Sequence, residues 1–188
     1  MNYLRTIGGI WNENRESHDY YATEPHAVEL LLELEKFNKK IWEPCCGENH
    51  MANVLKANGY NVRTSDLIIR KDGIEQLDFL KNNEIWHGDI ITNPPFKNAI
   101  QFIYKALESI KDGNKLAMFL KLQFLEGKER KKLFEKHPPK TVYVSSSRLR
   151  CAKNGDFDNE KYQSSAVAYC WYVWVKGYNG DTVIKWFN

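Results

Sequence analysis

The tetrad Asn93-Pro94-Pro95-Phe96 constrains the fold of this chain more than any other stretch. It follows Asp89-Ile90-Ile91-Thr92, an apolar and β-branched run that reads as the end of a buried strand. The two prolines then stop the strand, because neither offers an N–H and each pushes the residue before it out of the helical region. A polar side chain and a flat ring are therefore expected on a stiff loop at a strand's C-terminal end. In open α/β sheets that edge is where ligands bind. Taken alone, the stretch also fits a proline-stiffened turn with a satisfied Asn.

The rest of the chain supplies the context. Tyr21-Ala22-Thr23-Glu24-Pro25 reads as a helix start, with Thr23 as N-cap and Pro25 in the first turn. The helix is expected over about Glu24 to Phe37, with Ala27, Leu30, Leu31 and Leu34 as its apolar stripe. Ile41-Trp42 predicts a short strand, followed by the small-residue turn Glu43-Pro44-Cys45-Cys46-Gly47 and a helix from His50 to Asn58 closed by Gly59. Asn61 to Ser65 reads as a second strand ending at Asp66, and Gly73 to Leu80 as a short third strand and its loop. A strand–turn–helix–strand unit with an acid at the end of its second strand is the arrangement nucleotide-type ligands use.

Beyond the tetrad, Asn98 to Ser109 has helical spacing, Leu116 to Leu120 reads as a fifth strand, Gly127 to Lys136 as a basic helix and Thr141 to Val144 as a sixth strand. Arg148 to Ser165 is polar and irregular, interleaving Arg148, Arg150, Lys153 and Lys161 with Phe157 and Tyr162. Ala166 to Val175 and Thr182 to Phe187 then predict two strands joined by a type I′ hairpin turn at Asn179-Gly180. The pattern as a whole predicts an α/β, Rossmann-like doubly wound fold. Its sheet should be mostly parallel and seven-stranded, with a C-terminal antiparallel hairpin and helices on both faces.

With 188 residues and 43% hydrophobic content, the chain suits one globular domain, with residues 1–20 as an N-terminal extension. No signal pattern or membrane-length apolar run is evident, so a cytoplasmic protein is expected. The four cysteines show no metal-ligand spacing with the five histidines, so reduced thiols and no metal are expected. The histidines are scattered and read as structural or surface residues. A net charge of +3 permits an anionic partner without requiring one.

Glu43-Pro44-Cys45-Cys46-Gly47, Asp66, Asp78-Phe79-Leu80 and Asn93-Pro94-Pro95-Phe96, in this order, resemble the adenine-N6 DNA methyltransferase family, which uses S-adenosylmethionine. The resemblance implies a role for each position. Tyr21 and Thr23 would cover the cofactor's methionine end, which Glu43, Cys45 and Gly47 would flank, the Glu43 carboxylate facing the ammonium. Asp66 would accept from the ribose hydroxyls. Asp78 would accept from the cofactor's adenine amine, and Phe79 would lie against its ring.

Asn93 would stand between cofactor and acceptor. Its side-chain oxygen and the Pro94 carbonyl would take both hydrogens of the target amine, while Pro95 stiffens the loop and Phe96 stacks on the flipped base. Cys45 and Cys46 enter as small packing residues, not nucleophiles. The family's turn often carries a second glycine where this chain has Asn49, a residue that tolerates left-handed angles. Without a separate target-recognition domain, DNA contacts are expected from Phe96, Lys97, Arg130, Arg148, Arg150 and Lys153, on loops that would otherwise be ordinary solvated faces. An RNA base N-methyltransferase, a protein-glutamine N-methyltransferase and a non-catalytic nucleic-acid-binding module are the competing readings.

Overall fold

A computed structural model describes residues 20–153, 155–157 and 167–188. The expectations for the 1–20 extension before Tyr20, for Lys161 and Tyr162, and for the Lys153 side chain lie outside what it describes.

Among the described residues, ten strands and four α-helices follow one another as β1 (Tyr21–Thr23), α1 (Pro25–Leu34), β2 (Lys40–Glu43), α2 (His50–Ala57), β3 (Asn61–Asp66), β4 (Glu75–Gln76), β5 (Asp89–Thr92), α3 (Ala99–Ser109), β6 (Lys115–Lys121), α4 (Lys128–Lys136), β7 (Thr141–Ser145), β8 (Cys151–Lys153), β9 (Tyr169–Val175) and β10 (Val183–Phe187). Eight of the strands form one sheet in the order β10-β7-β9-β6-β5-β2-β3-β4. β9 runs antiparallel to β6 and β7, and every other pairing in that sheet is parallel.

Side-chain alternation along the central strands sorts the core into two layers. Ile41, Ile91, Ala117, Phe119, Trp171 and Val173 face α1 and α2. Trp42, Ile90, Leu116, Met118, Tyr172 and Trp174 face α3 and α4. All four β5 residues are buried, as the apolar run before the tetrad implies. This is the expected mostly parallel α/β sheet with helices on both faces. No described helix is long and apolar enough to cross a membrane.

Several local expectations change. The sheet gains an eighth strand because β10 adds to the outer edge of β7. β9 and β10 run antiparallel, as expected, but β7 lies between them. The chain leaves β9 through a turn in which Tyr178 N–H donates to Val175 O at 3.0 Å, with Gly177 at φ +86°. Asn179 is not left-handed, so no type I′ turn forms at Asn179-Gly180. The short strand expected within Gly73 to Leu80 is β4, and Asp78-Phe79-Leu80 falls in its loop, where Asp78 accepts from Leu80 N–H at 3.2 Å and caps a 3₁₀ turn. Thr23 does not cap α1. Glu24 holds the N-cap position, and Thr23 belongs to β1.

The stretch expected to be irregular contains β8, which pairs antiparallel with β1 in the register Tyr21↔Lys153, Ala22↔Ala152 and Thr23↔Cys151. Glu24 extends this ribbon. Its N–H donates to Arg150 O at 3.2 Å, and its carboxylate accepts from Arg150 N–H and from the Arg150 guanidinium.

Candidate active site

The chain moves from β2 to β3 on one side of the sheet and returns to β5 on the other, so the strand order reverses between β2 and β5. Ligand sites in open α/β sheets form outside the strand ends at such a reversal. Glu43 closes β2, Asp66 closes β3 and Asn93 follows β5. All three line one cleft of about 340 Å³ together with Tyr21, Thr23, Cys45, Asp78, Phe79, Pro95 and Lys97.

Glu43 is 2% exposed, and burial pushes its carboxyl well above the usual carboxylate range. The nearby Asp66 charge pushes it the same way, against the Ala52 amide and the Lys56 ammonium. Its Oε2 has no hydrogen-bond partner among the described residues, and neither does Thr23 Oγ1. Unpaired buried oxygens are uncommon in folded proteins because each costs free energy. Here both belong to residues of the cleft wall, where a ligand's N–H donors would satisfy them.

Asp66 is more engaged. Its Oδ2 accepts from Gly47 N–H at 2.9 Å, and its Oδ1 accepts from Ile68 N–H at 3.0 Å and Arg70 Nη1 at 3.2 Å. A carboxylate oxygen has two lone pairs, so Oδ2 keeps one for a ligand hydroxyl. The turn between β2 and α2 needs its glycine: Gly47 has φ +52°, and a Cβ there would lie 2.2 Å from Tyr20 Cε2. Asn49 takes φ +70° at the N-cap of α2, so it fills the position of the missing second glycine with the left-handed angle such a turn requires.

Asp78 is split between capping its own 3₁₀ turn and an ion pair with Lys81 at 3.0 Å. Phe79 touches the cleft but is 3% exposed, held edge-on to Trp42 and stacked on Phe102. Cys45 lines the cleft as a thiol whose pKa burial raises, and all four cysteines are free.

On the other side, Asn93 Nδ2 donates to Tyr21 O at 2.7 Å and approaches Cys151 Sγ at 3.6 Å. A main-chain carbonyl only accepts, so chemistry fixes this orientation of the amide. Asn93 Oδ1 is left as the acceptor at the cleft. Pro94 is buried, and the Pro95 carbonyl accepts from Asn98 N–H at 2.9 Å, starting a 3₁₀ turn over Phe96–Asn98. Phe96 lies outside the cleft wall, half-buried between the rings of Tyr21 at 5.8 Å and Tyr169 at 5.9 Å.

The expected cationic residues are less gathered. Lys97 is exposed at the cleft, and Arg148 is exposed beside a second hollow of about 290 Å³ that Tyr169 and Ser145–Ser147 also line. Arg130 stacks over Phe124, 5.2 Å from its centroid. Arg150 is tied to Glu24.

Four further residues have a place at the site that the sequence pattern alone does not assign. Tyr20 packs over Gly47, and its ring carries the Arg70 guanidinium at 4.5 Å. Burial and the Glu48 charge push its hydroxyl up to about 12. Cys151 touches Asn93. His50, expected to be a structural or surface residue, lines the cleft with its Nε2 3.3 Å from Glu48 Oε2. The start of α2 immediately after the Glu-Pro-Cys-Cys-Gly turn is the signal that locates His50. Cys151 has no such signal.

No protein-family model matches the chain, and no curated protein matches it by sequence. Solved structures do match. One is described as a class I S-adenosylmethionine-dependent methyltransferase from Listeria monocytogenes, 15% identical with a TM-score of 0.59 over 87% of this chain and 64% of that one. Another is described as a modification subunit of a type I restriction enzyme from Vibrio vulnificus, 11% identical with a TM-score of 0.58 over 89% of this chain and 46% of that one. A third, described as an RNA methyltransferase from Pyrococcus horikoshii, is 14% identical with a TM-score of 0.54 over 80% of this chain and 81% of that one. The chain spans less than two thirds of the first two. At these identities the likeness is one of fold: the chain has the Rossmann-like fold that these methyltransferase structures share.

Proposed function

We propose that this chain is an S-adenosylmethionine-dependent methyltransferase acting on the exocyclic N6 amine of adenine in DNA. One observation carries the reading. The Asn93 amide is held by Tyr21 O so that its oxygen, an acceptor, is what the cleft offers next to a proline-stiffened loop. An exocyclic amine is a poor nucleophile because its lone pair is delocalised into the ring. Asn93 Oδ1 and the Pro94 carbonyl together match an NH₂ group, and they favour the pyramidal nitrogen that develops as the new bond forms.

The cofactor side fits the same reading. The unpaired Glu43 Oε2 suits an α-ammonium group, and the open lone pair of Asp66 Oδ2 suits a ribose hydroxyl. Asp78 and Phe79 line the same cleft, and this reading puts the cofactor's adenine against them. When bound, the cofactor supplies an electrophilic methyl on a sulfonium, so the chain has to position the acceptor more than to activate it. DNA as the acceptor is supported by the order of the motifs and by the fold shared with a structure described as a restriction-enzyme modification subunit.

The test is to incubate the protein with methyl-labelled cofactor and separate pools of duplex DNA, single-stranded DNA, RNA and protein, then digest each pool and identify the product. The reading expects label in N6-methyladenine from DNA. Label confined to RNA or to glutamine side chains contradicts it.

A further inference from the structure

Four lysines among the described residues are half-buried: Lys105, Lys115, Lys121 and Lys176. Three of them donate to oxygen, Lys105 to Asn83 Oδ1, Lys115 to Glu35 and to Lys36 O, and Lys176 to Ile110 O. Lys121 does not. Its ammonium has no hydrogen bond or ion pair among the described residues and rests over the Phe96 ring, 4.9 Å from the centroid. Taking an ammonium partly out of water is unfavourable unless an anion or hydrogen bonds replace its hydration. A ring face compensates only in part.

The position of Lys121 is set by the sheet. It ends β6, which pairs with β5 in the register Thr92↔Met118, and so stands at the level of the tetrad's prolines. The next residue, Leu122, lines the second hollow with Tyr169 and Arg148, and the Tyr169 ring lies 5.9 Å from that of Phe96. Lys121 therefore rests on the tetrad's ring, the one a substrate base would need, with Pro95 and Lys97 on either side of Phe96 lining the cleft and its own neighbour Leu122 lining the hollow.

We propose that Lys121 is the phosphate-binding residue of the acceptor site. Its ammonium covers Phe96 while the acceptor is absent, and moves to a phosphodiester oxygen of the target nucleotide as the base takes its place on the ring. This rests on the reading of the cleft as a nucleic-acid methyltransferase site, and it adds a requirement: the acceptor must carry a backbone charge beside the target base. A charge-assisted bond to phosphate is stronger than an ammonium resting on a ring face, and the stacked base then covers the face that the ammonium leaves. The exchange therefore favours a nucleotide in a strand over a free base or nucleoside.

The experiment compares the full chain with Lys121→Met and Lys121→Arg, on an adenine-containing DNA oligonucleotide and on the same oligonucleotide with uncharged methylphosphonate links flanking the target. Oligonucleotide affinity is measured across a salt series, and cofactor affinity by calorimetry. Lys121→Met is expected to raise the oligonucleotide Kd about tenfold and to lower the salt slope by about one, with cofactor affinity unchanged, and Lys121→Arg to restore most of the affinity. Neutral links should weaken the wild type to the level of Lys121→Met and weaken that variant no further. If both proteins lose equally on neutral links, or the salt slope is unchanged, Lys121 does not bind the phosphate. A wild-type protein that methylates no polynucleotide overturns the functional reading and this inference together. Methylation of DNA with an indifferent Lys121→Met overturns this inference alone.

Discussion

Asn93 Nδ2 donates to the main-chain carbonyl of Tyr21 at 2.7 Å, across 72 positions of sequence. A strand that precedes the first helix thus decides which end of the tetrad's amide the cleft receives. Cys151 provides the second neighbour of that amide, and it is paired with Thr23 in the same two-stranded ribbon. The ribbon is the part of the molecule that turns a polar loop residue into an oriented acceptor.

That arrangement gives Cys151 a measurable role. Cys151→Ala removes a weak acceptor from Asn93 Nδ2 and is expected to lower kcat for methyl transfer about tenfold while leaving cofactor affinity within about twofold. Cys151→Ser, which keeps an acceptor, should recover most of the rate. An equal loss in both variants would assign the effect to packing.

Glu43 makes the protein's stability depend on pH in a definite direction. Its carboxyl lies well above the ordinary value of 4.5, so ionising it costs more in the folded state than in the unfolded one. The cost is absent below about 4.5, grows as pH rises towards the folded value, and is complete above it. Glu43→Gln should therefore stabilise the ligand-free protein at pH 8 by on the order of 1–3 kcal/mol, and hardly at all near pH 4. Thermal unfolding at both pH values checks this. The same variant should weaken binding of S-adenosylhomocysteine at least tenfold, because the amide no longer offers a charge to the ammonium.

Asp66→Asn should weaken S-adenosylhomocysteine binding by about tenfold or more, since the neutral side chain is a poorer acceptor for ribose hydroxyls. It also breaks the 3.2 Å pairing with Arg70. Unchanged binding by calorimetry would place the ribose elsewhere.

Gly47→Ala meets two obstacles, the φ of +52° and the Tyr20 ring 2.2 Å from the added Cβ. We expect a loss of about 1–3 kcal/mol in stability and weaker cofactor binding. In a Tyr20→Ala background the steric part of that loss should vanish and the backbone part remain. A double-mutant cycle by chemical denaturation separates the two.

Much of this is legible in the chain itself, for reasons that differ by element. β5 can be read because a strand buried on both faces is a continuous apolar run, and the prolines mark its end. The turn through Gly47 and Asn49 can be read because few residues accept left-handed angles. β1 and β8 are hidden. Each is three residues long, too short to show alternation, and they pair across more than a hundred positions. With them go the partners of Asn93 and Arg150, and Thr23 resembles a cap because its neighbours Glu24 and Pro25 do start a helix. β10 is obscured by its turn: Asn179-Gly180 has hairpin composition, but the chain bends at Gly177 and crosses to the outer edge of β7.

Asn93→Ala tests the central claim most directly. With methyl-labelled cofactor and adenine-containing DNA, we expect wild-type protein to form N6-methyladenine and the variant to be slower by at least about a hundredfold. S-adenosylhomocysteine should bind both within about threefold. A variant that transfers methyl at near wild-type rate would contradict the account, because Asn93 would then not be the acceptor that holds the amine.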